Sequence, residues 1–219
     1  MITQERSTTS GWRMLRLPTA VQMDERHGYA RSKKEPFWEA TAIEPESRLL
    51  IGFVAGRSDE ALIRELMVST KRRLKEPKDL VVMSDGEKSY ESLFPSVFGT
   101  PYRPARKGER GRFPKVRHRI DRSLAHLQLI KHRKGGRVVE VICRAAHGSW
   151  KRVESESLRS WAIEKPNLSA IERQNGTSRR MNAYLLRKSL AFARKEESRE
   201  ALGWFSTRSS TTSAAHKGD

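Results

Sequence analysis

Three acidic residues lie at positions where carboxylates could carry out chemistry. Asp24 ends the first predicted strand, Asp85 follows the apolar run Leu80–Met83, and Glu172 falls in the first turn of a predicted helix. Ligand sites in open α/β sheets lie beyond the strand ends, so Asp24 and Asp85 are well placed for such a site. The simpler interpretation of Asp85-Gly86 is a turn after a strand. Glu172 could equally be an exposed residue that the helix dipole favours.

Glu172 shares one face of its predicted helix with an amide and a guanidinium. At about 100° per residue, Glu172, Asn175 and Arg179 point in the same direction. A carboxylate, an amide and a guanidinium on one face could bind a metal ion and then the phosphates around it. A solvated polar face explains the same pattern equally well.

Carboxylates are sufficient protein ligands for metal-assisted phosphodiester cleavage. In that reaction two Mg²⁺ ions about 4 Å apart activate the attacking oxygen and stabilise the leaving oxygen. Mg²⁺ takes oxygen ligands and keeps several waters, so a few carboxylates suffice and neither histidine nor cysteine is required. A strongly basic surround would attract the phosphates that the carboxylates repel.

The chain is strongly basic, with a net charge of +18 over 219 residues and a pI near 10.6. Thirteen Lys or Arg and two acids lie between Pro101 and Arg137, and seven basic residues and no acid lie between Arg173 and Lys195. This charge favours a polyanionic partner, with nucleic acid the best candidate. A membrane is a poorer candidate because no strongly apolar amphipathic helix and no apolar run of about 20 residues is present. We therefore expect a cytoplasmic, nucleoid-associated protein.

A Pro-, Arg- and Gly-rich loop and a predicted hairpin form a basic insert at about 100–145. We expect this insert to contact DNA, although runs of Lys and Arg are often only solvated surface. The predicted DNA-binding residues of the loop are Arg103, Arg106, Lys107, Arg112 and Lys115.

Sulfur and nitrogen ligands are few and poorly arranged for a metal. The single cysteine, Cys143, excludes an internal disulfide and a cysteine-based zinc finger, and we expect it to be a small buried residue in a strand. The spacings of His118, His126, His132 and His147 do not suggest zinc. We expect these histidines on strand surfaces or close to DNA.

The order of the predicted elements indicates an α/β domain with a mixed sheet. We place this domain at 20–205, between segments 1–19 and 206–219 whose polar composition predicts disorder. The predicted strands are Ala20–Asp24, Phe37–Ile43, Leu49–Ala55, Leu80–Met83, Leu124–Lys131 and Arg137–Arg144, and the predicted helices run from Ser58 to before Pro77, around Trp150–Ile163 and over Ser169–Lys195.

Three segments resemble the insertion-sequence transposases of the DDE type, and most closely the insertion-sequence-one group. AIEPESRLLIGFVAGRSDEALIRELM is similar to the strand–turn–strand–helix of these proteins, and VVMSDGEKSY is similar to their second-aspartate motif. NLSAIERQNGTSRRMNAYLLRKSLAFARKEE resembles their glutamate motif, and MDE at Met23–Glu25 lies where the first aspartate is expected. The resemblance extends from about Val21 to Trp204.

The resemblance implies a ribonuclease-H-like fold, with a mixed sheet flanked by helices and a basic loop and β-hairpin before the last helices. It implies a catalytic, metal-binding triad of Asp24, Asp85 and Glu172 that uses Mg²⁺, with Mn²⁺ as a substitute. Glu25 is the neighbouring alternative to Asp24. Asn175 and Arg179 would contact the DNA or support the triad. The implied reaction is 3′-end cleavage at the element's termini, followed by transfer of the 3′-hydroxyl into target DNA.

Members of this group usually begin with a zinc-binding and helix-turn-helix region, whereas about 20 unpatterned residues precede Asp24 here. We therefore expect the second part of a split or frame-shifted product, or a truncated relic. A homodimer or a larger synaptic assembly is expected, because two DNA ends must be brought together. Two other functions stay open: a basic nucleic-acid-binding protein without catalysis, including an inactive transposase remnant, and a host nuclease or resolvase on the same fold.

Overall fold

A six-stranded mixed sheet with helices on both faces organises the described part of the chain. The computed structural model describes residues 18–57, 59–75, 77–106, 108, 112–157, 166–186 and 191–215. The strands are β1 Ala20–Tyr29, β2 Pro36–Ile43, β3 Leu50–Gly56, β4 Leu80–Asp85, β5 Thr100–Tyr102, β6 Arg117–Arg119, β7 Leu124–Lys134 and β8 Arg137–His147. The α-helices are α1 Asp59–Arg73, α2 Lys88–Phe98, α3 Trp150–Glu156, α4 Ser169–Met181 and α5 Glu196–Ala215. The α/β class and the mixed sheet flanked by helices are confirmed.

The strand order is β3-β2-β1-β4-β7-β8, and β5 and β6 form a separate two-stranded ribbon. Strands β1, β4 and β7 are parallel, whereas β2, β3 and β8 run antiparallel to their neighbours. Parallel neighbours need a crossover connection. β1 is connected to β4 through β2, β3 and α1, and β4 is connected to β7 through α2 and the ribbon. The carboxyl ends of β1, β4 and β7 therefore meet at one edge of the sheet.

The apolar core lies on both faces of the sheet, because successive side chains of a strand point to opposite faces. On one face Val21 and Met23 pack with α1 and α2. On the other face Val81 and Met83 pack with α3 and α4. Strand β4 is buried on both faces, which explains its continuously apolar sequence.

Helix α5 is fixed to the sheet by a buried cluster of charges. The carboxylate of Glu39 lies 2.9 Å from Nη2 of Arg26 and 3.3 Å from Nη2 of Arg199, and all three side chains are almost completely buried. Arg26 also donates a hydrogen bond of 3.1 Å to Oγ1 of Thr207. Gly28 permits the close approach of Arg199 to β1, because a Cβ at position 28 would lie 2.2 Å from Nη2 of Arg199.

Strand β1 is longer than predicted, so Asp24 lies within the strand and not at its end. Pairing with β2 continues from Gln22 to Tyr29. The residues after Asp24 are too polar to suggest a buried strand, but Arg26 is buried because Glu39 neutralises it.

The hairpin of β7 and β8 is longer than predicted and turns at Gly135 and Gly136. Their φ angles of 58° and 79° lie in the left-handed region that favours glycine.

The C-terminal helices also differ from the prediction. Helix α4 ends at Met181, where the side chain of Asn182 accepts a hydrogen bond from the Tyr184 N–H and starts a short 3₁₀ turn. Residues 206–215, predicted as part of a flexible tail, instead continue helix α5, and Ser206 and Thr207 are buried. Segments 1–17 and 216–219, also predicted to be disordered, lie outside the described residues.

Across the ranges given above, no helix has both the length and the apolar character needed to cross a membrane.

Replacement of Glu39 by glutamine should destabilise the fold by on the order of 3 kcal/mol, because two buried guanidinium groups would lose their shared counter-charge. The free energy of unfolding, measured by chemical denaturation, tests this expectation. The same change at Glu65, an exposed residue of α1, should have almost no effect. Equal stability of the two variants would contradict a structural role for the cluster.

Candidate active site

The predicted acids Asp24, Asp85 and Glu172 line one cavity at the carboxyl edge of the parallel strands. The cavity has a volume of about 410 Å³. Asp24 comes from β1, Asp85 is the last residue of β4, and Glu172 lies in the first turn of α4. The other lining residues are Gly86, Glu87, Leu129, Ile130, Lys131, Arg133 and Leu168. The fold thus brings together three carboxylates that are far apart in the sequence.

Strand β1 positions Asp24 at the point where the sheet opens. The pairing of β1 with β4 ends at Gln22, which lies opposite Met83. Asp24 is two residues further on the same face, so its carboxylate is beyond the last β1–β4 backbone contact. Asp85, paired with Leu129 of β7, ends β4 at the same edge of the sheet.

Gln22 fixes the start of α4 against β1. Its Nε2 donates a hydrogen bond of 2.7 Å to the carbonyl of Asn167, and its Oε1 accepts one of 3.0 Å from the N–H of Ile171. Glu172 follows Ile171 directly, so this clamp determines where the Glu172 carboxylate enters the cavity. Sequence analysis missed Gln22, since a single glutamine in an apolar stretch gives no pattern.

Asn175 is bound to Asp24 and almost fully buried. It is 2% exposed, and its Nδ2 donates a hydrogen bond to Oδ2 of Asp24. Of the two roles expected for Asn175, support of the triad fits this contact, and a DNA contact stays a prediction. Arg179 lies one turn further along α4 and is half-buried. Burial and, more weakly, the charge of Arg179 lower the pKa of Arg26, which shows that the two guanidinium groups are near each other.

Two basic side chains from β7 share the cavity with the acids. Lys131 Nζ donates a hydrogen bond to Oε1 of Glu172, and Arg133 lines the same cavity two residues later. Sequence analysis missed both residues as part of the site. Their spacing of two places both side chains on one face of a strand, but the predicted strand ended at Lys131 and so left Arg133 out.

The carboxylates of the cavity are held in an unfavourable electrostatic state. Burial, the charge of Asp85 and, more weakly, the charge of Glu172 raise the pKa of Asp24 to about 6, against an opposing hydrogen bond from Asn175. Burial also raises the pKa of Asp85. Burial and, at Asp24, the neighbouring carboxylates thus disfavour the ionised forms, which a bound cation would favour.

Glu25, the alternative to Asp24, lies on the opposite face of β1. Its carboxylate accepts a hydrogen bond of 2.8 Å from the hydroxyl of Tyr90, a fully buried residue of α2. Burial, followed by the charge of Asp85, raises the pKa of Glu25 to about 8. Since Glu25 does not line the cavity that contains Glu172, Asp24 is the better candidate for the site.

The donor set of the cavity suits a hard divalent cation. Asp24, Asp85 and Glu172 offer carboxylate oxygens, which Mg²⁺ and Mn²⁺ prefer. Among the residues that the structure describes, no three acidic, histidine or cysteine side chains are grouped closely enough to form a ready metal site. The carboxylate of Glu172 is instead paired with the ammonium group of Lys131.

His126 is buried in the core, so the prediction of a strand-surface or DNA-proximal position is wrong for this residue. Its Nε2 lies 3.0 Å from Oγ of Ser84, and its ring stacks on Phe94 at 5.2 Å. Burial, followed by the charges of His147 and Arg144, lowers the pKa of His126 to about 3, so the ring is neutral. Because Ser84 precedes Asp85, His126 stabilises the end of the strand that carries the catalytic candidate.

None of the predicted DNA-binding residues of the basic loop that the structure describes lines the cavity of the acids. Arg103, Arg106, Arg112 and Lys115 are exposed, and Lys107 lies outside the described residues. The loop rejoins the sheet at the amino ends of β4 and β7, where Ser123 donates a hydrogen bond to the carbonyl of Lys78. Asp85 lies at the other end of β4, about 20 Å from this junction for a strand of six residues.

Comparison with known proteins provides no assignment for this chain. No family model matches it, and no curated protein is significantly similar to it.

Replacement of Asp24 by asparagine should stabilise the protein above pH 6 by on the order of 2 kcal/mol. Because the pKa of Asp24 is raised from 3.8 to about 6 on folding, ionisation is harder in the folded state. The stability of the wild type relative to the variant should therefore fall as the pH rises from 4 to 6 and then level off. Denaturation midpoints measured between pH 4 and pH 8 test this expectation.

The matched control is Asp121→Asn. Hydrogen bonds from Ser123 lower the pKa of this exposed aspartate, so its replacement should not stabilise the protein at any pH. If the difference in stability between Asp24→Asn and the wild type does not change with pH, the raised pKa of Asp24 is contradicted.

Replacement of Lys131 by glutamine should strengthen Mn²⁺ binding by about fivefold or more, because it removes a competing positive charge next to Glu172. Isothermal titration calorimetry of the metal-free protein measures this change. Lys134→Gln, an exposed change near the tip of the same hairpin, is the control and should leave the affinity unchanged. Equal affinities for all three proteins would show that Lys131 does not compete with the metal.

Proposed function

We propose that this chain is the catalytic domain of a DNA transposase with a ribonuclease-H-like fold. The observation that carries the proposal is the shared cavity of Asp24, Asp85 and Glu172, which come from β1, β4 and α4. An antiparallel β3-β2-β1 unit followed by parallel β4 and β7 supports the finer fold assignment. The resemblance of the second-aspartate and glutamate segments to DDE transposases supports the reaction class.

Asp24, Asp85 and Glu172 would hold Mg²⁺ or Mn²⁺ through their carboxylate oxygens. When bound, the metal supplies activation of the attacking oxygen and stabilisation of the leaving oxygen. Asn175 and Gln22 act as positioning residues, since they fix Asp24 and the start of α4 through hydrogen bonds.

Lys131 and Arg133 provide the positive charge that the substrate phosphates need at the cavity. If Glu172 were to bind a metal ion, the ammonium group of Lys131 would be free to contact a non-bridging phosphate oxygen. The positive side chains of the pocket would then lie among its carboxylates and reduce the repulsion between these carboxylates and the DNA backbone.

The proposed reaction exchanges one phosphorus–oxygen bond for another in each step. Water first replaces the 3′-oxygen at an element end, which leaves a 3′-hydroxyl and a 5′-phosphate. That 3′-hydroxyl then attacks a phosphorus atom of target DNA and displaces the target's own 3′-oxygen. The proposed partners are therefore the element ends and target DNA, with two or more copies of this chain holding the two ends.

The ion pair of Lys131 with Glu172 favours a second candidate function. If the lysine neutralises Glu172 permanently, the chain is a basic DNA-binding protein without catalysis, including an inactive transposase remnant. For a transposase catalytic domain, replacement of a cavity carboxylate should remove DNA cleavage. For a non-catalytic DNA-binding protein, there is no cleavage to remove.

Incubation of the protein with Mn²⁺ and a supercoiled plasmid that carries the DNA flanking its gene should produce nicks with 3′-hydroxyl ends, and joined products detectable by sequencing. Asp85→Asn and Glu172→Gln should each reduce the rate of nicking at least about 100-fold, because each removes a metal ligand. Gel-shift binding to the same DNA in EDTA should remain, since neither acid attracts phosphate.

The control variant is Glu65→Gln, which changes an exposed acid of α1 and should nick at the wild-type rate. DNA binding without any nicking by the wild type would instead support the non-catalytic candidate. Nicking of structured DNA without joined products would indicate a nuclease or resolvase.

A further inference from the structure

Two aromatic rings are exposed on the basic ribbon, the name used here for residues 100–119 with β5 and β6. Phe113 is 63% exposed, and the Cζ atom of Arg106 lies 4.7 Å from the centre of its ring. Tyr102 is 38% exposed, and Cζ of Arg119 lies 5.2 Å from the centre of its ring. The same element thus presents two rings that each contact an arginine.

The two rings are not explained by packing. All three residues of β5 are exposed, and neither ring belongs to the apolar clusters of the sheet. A cation–π contact alone could stabilise the ribbon, but it does not require that most of the Phe113 surface face water. Exposed rings flanked by guanidinium groups are typical of surfaces that stack nucleic-acid bases.

The charge of the ribbon favours the same kind of partner. Its described residues, 100–106, 108 and 112–119, include six Lys or Arg and no acid. They are Arg103, Arg106, Arg112, Lys115, Arg117 and Arg119. In the full sequence, segment 100–119 has eight Lys or Arg and one acid, Glu109. This excess of positive charge attracts a phosphate backbone, and the attraction decreases with salt.

The two strands of the ribbon are anchored to the fold, so Tyr102 has a defined position. Thr100, Pro101 and Tyr102 pair with Arg119, His118 and Arg117 in an antiparallel register. At the end of α2, a Cβ on Gly99 would lie 2.5 Å from the carbonyl of Pro95 and 3.0 Å from the Cβ of His118. This close contact fixes the ribbon to the helix, at the opposite edge of the sheet from the acids.

We propose that the basic ribbon is a second DNA-binding site, which takes unpaired nucleotides. Bases stack on Phe113 and Tyr102, and the phosphates between them contact the arginines. Duplex DNA fits this surface less well, because its bases are already stacked and their faces are covered. The choice of DNA as the partner rests on the proposed function, whereas the preference for unpaired bases rests on the two exposed rings.

Fluorescence anisotropy with a labelled oligonucleotide, measured in EDTA on the full chain, tests the site. The double variant Tyr102→Ala with Phe113→Ala should weaken binding of single-stranded DNA by about tenfold or more, since stacking contributes about 1–3 kcal/mol per base. Binding of a duplex of the same sequence should change less than about threefold, because phosphate contacts remain.

Two further variants separate stacking from folding. Tyr102→Trp with Phe113→Trp retains the rings and should bind single strands at least as tightly as the wild type. Phe205→Ala removes a ring of similar exposure, 61%, from α5 and should have no effect. Both expectations follow from base stacking and not from general apolar surface.

The proposal is overturned if the alanine variant binds single strands and duplexes like the wild type, or loses affinity for both equally. Equal or tighter binding of an RNA oligonucleotide would overturn the choice of DNA. Because these measurements need neither metal nor cleavage, a failure of the ribbon is distinguishable from a failure of the proposed function, which depends on nicking by the Asp85 and Glu172 variants.

Discussion

Gln22, Asp24 and Arg26 project from one face of β1, and each contacts a different part of the C-terminal helices. Gln22 binds both sides of the start of α4, Asp24 accepts a hydrogen bond from Asn175, and Arg26 donates to Thr207 of α5. A shift of β1 by one residue would turn all three to the other face. The register of this single strand therefore sets the positions of α4 and α5, and with them the position of the candidate site.

The same arrangement places charged side chains in the buried interior of the fold. Glu39 compensates two buried arginines, whereas the acids of the cavity depend on Lys131 and have raised pKa values at Asp24 and Asp85. The cluster of arginines has its counter-charge within the fold, but the carboxylates of the cavity lack full compensation. In the proposed function, this difference is what would allow an external cation to bind at the cavity and not at the arginine cluster.

Sequence reasoning predicted the apolar parts of this fold and missed the parts held by polar contacts. Strands β2, β3 and β4 and the position of Asp85 follow from short apolar runs between turn residues. The second half of β1 was not predictable from periodicity, because Arg26 is buried by an ion pair with a residue of another strand. Likewise the Ser- and Thr-rich end of α5 has a low-complexity sequence, yet Thr207 binds Arg26 across the fold. Lys131 was missed because its partner Glu172 is brought near only by the tertiary structure.

The contact of Arg26 with Thr207 joins residues that are 181 positions apart, and the contact of Asp24 with Asn175 spans 151 positions. During synthesis, β1 to β4 leave the ribosome long before either partner has been made. A nascent chain can therefore build much of the sheet while Arg26 and Glu39 still lack Arg199 and Thr207, and while the cavity has no Glu172. The candidate site is consequently one of the last features to form, and a message that is broken or terminated early yields a chain without it.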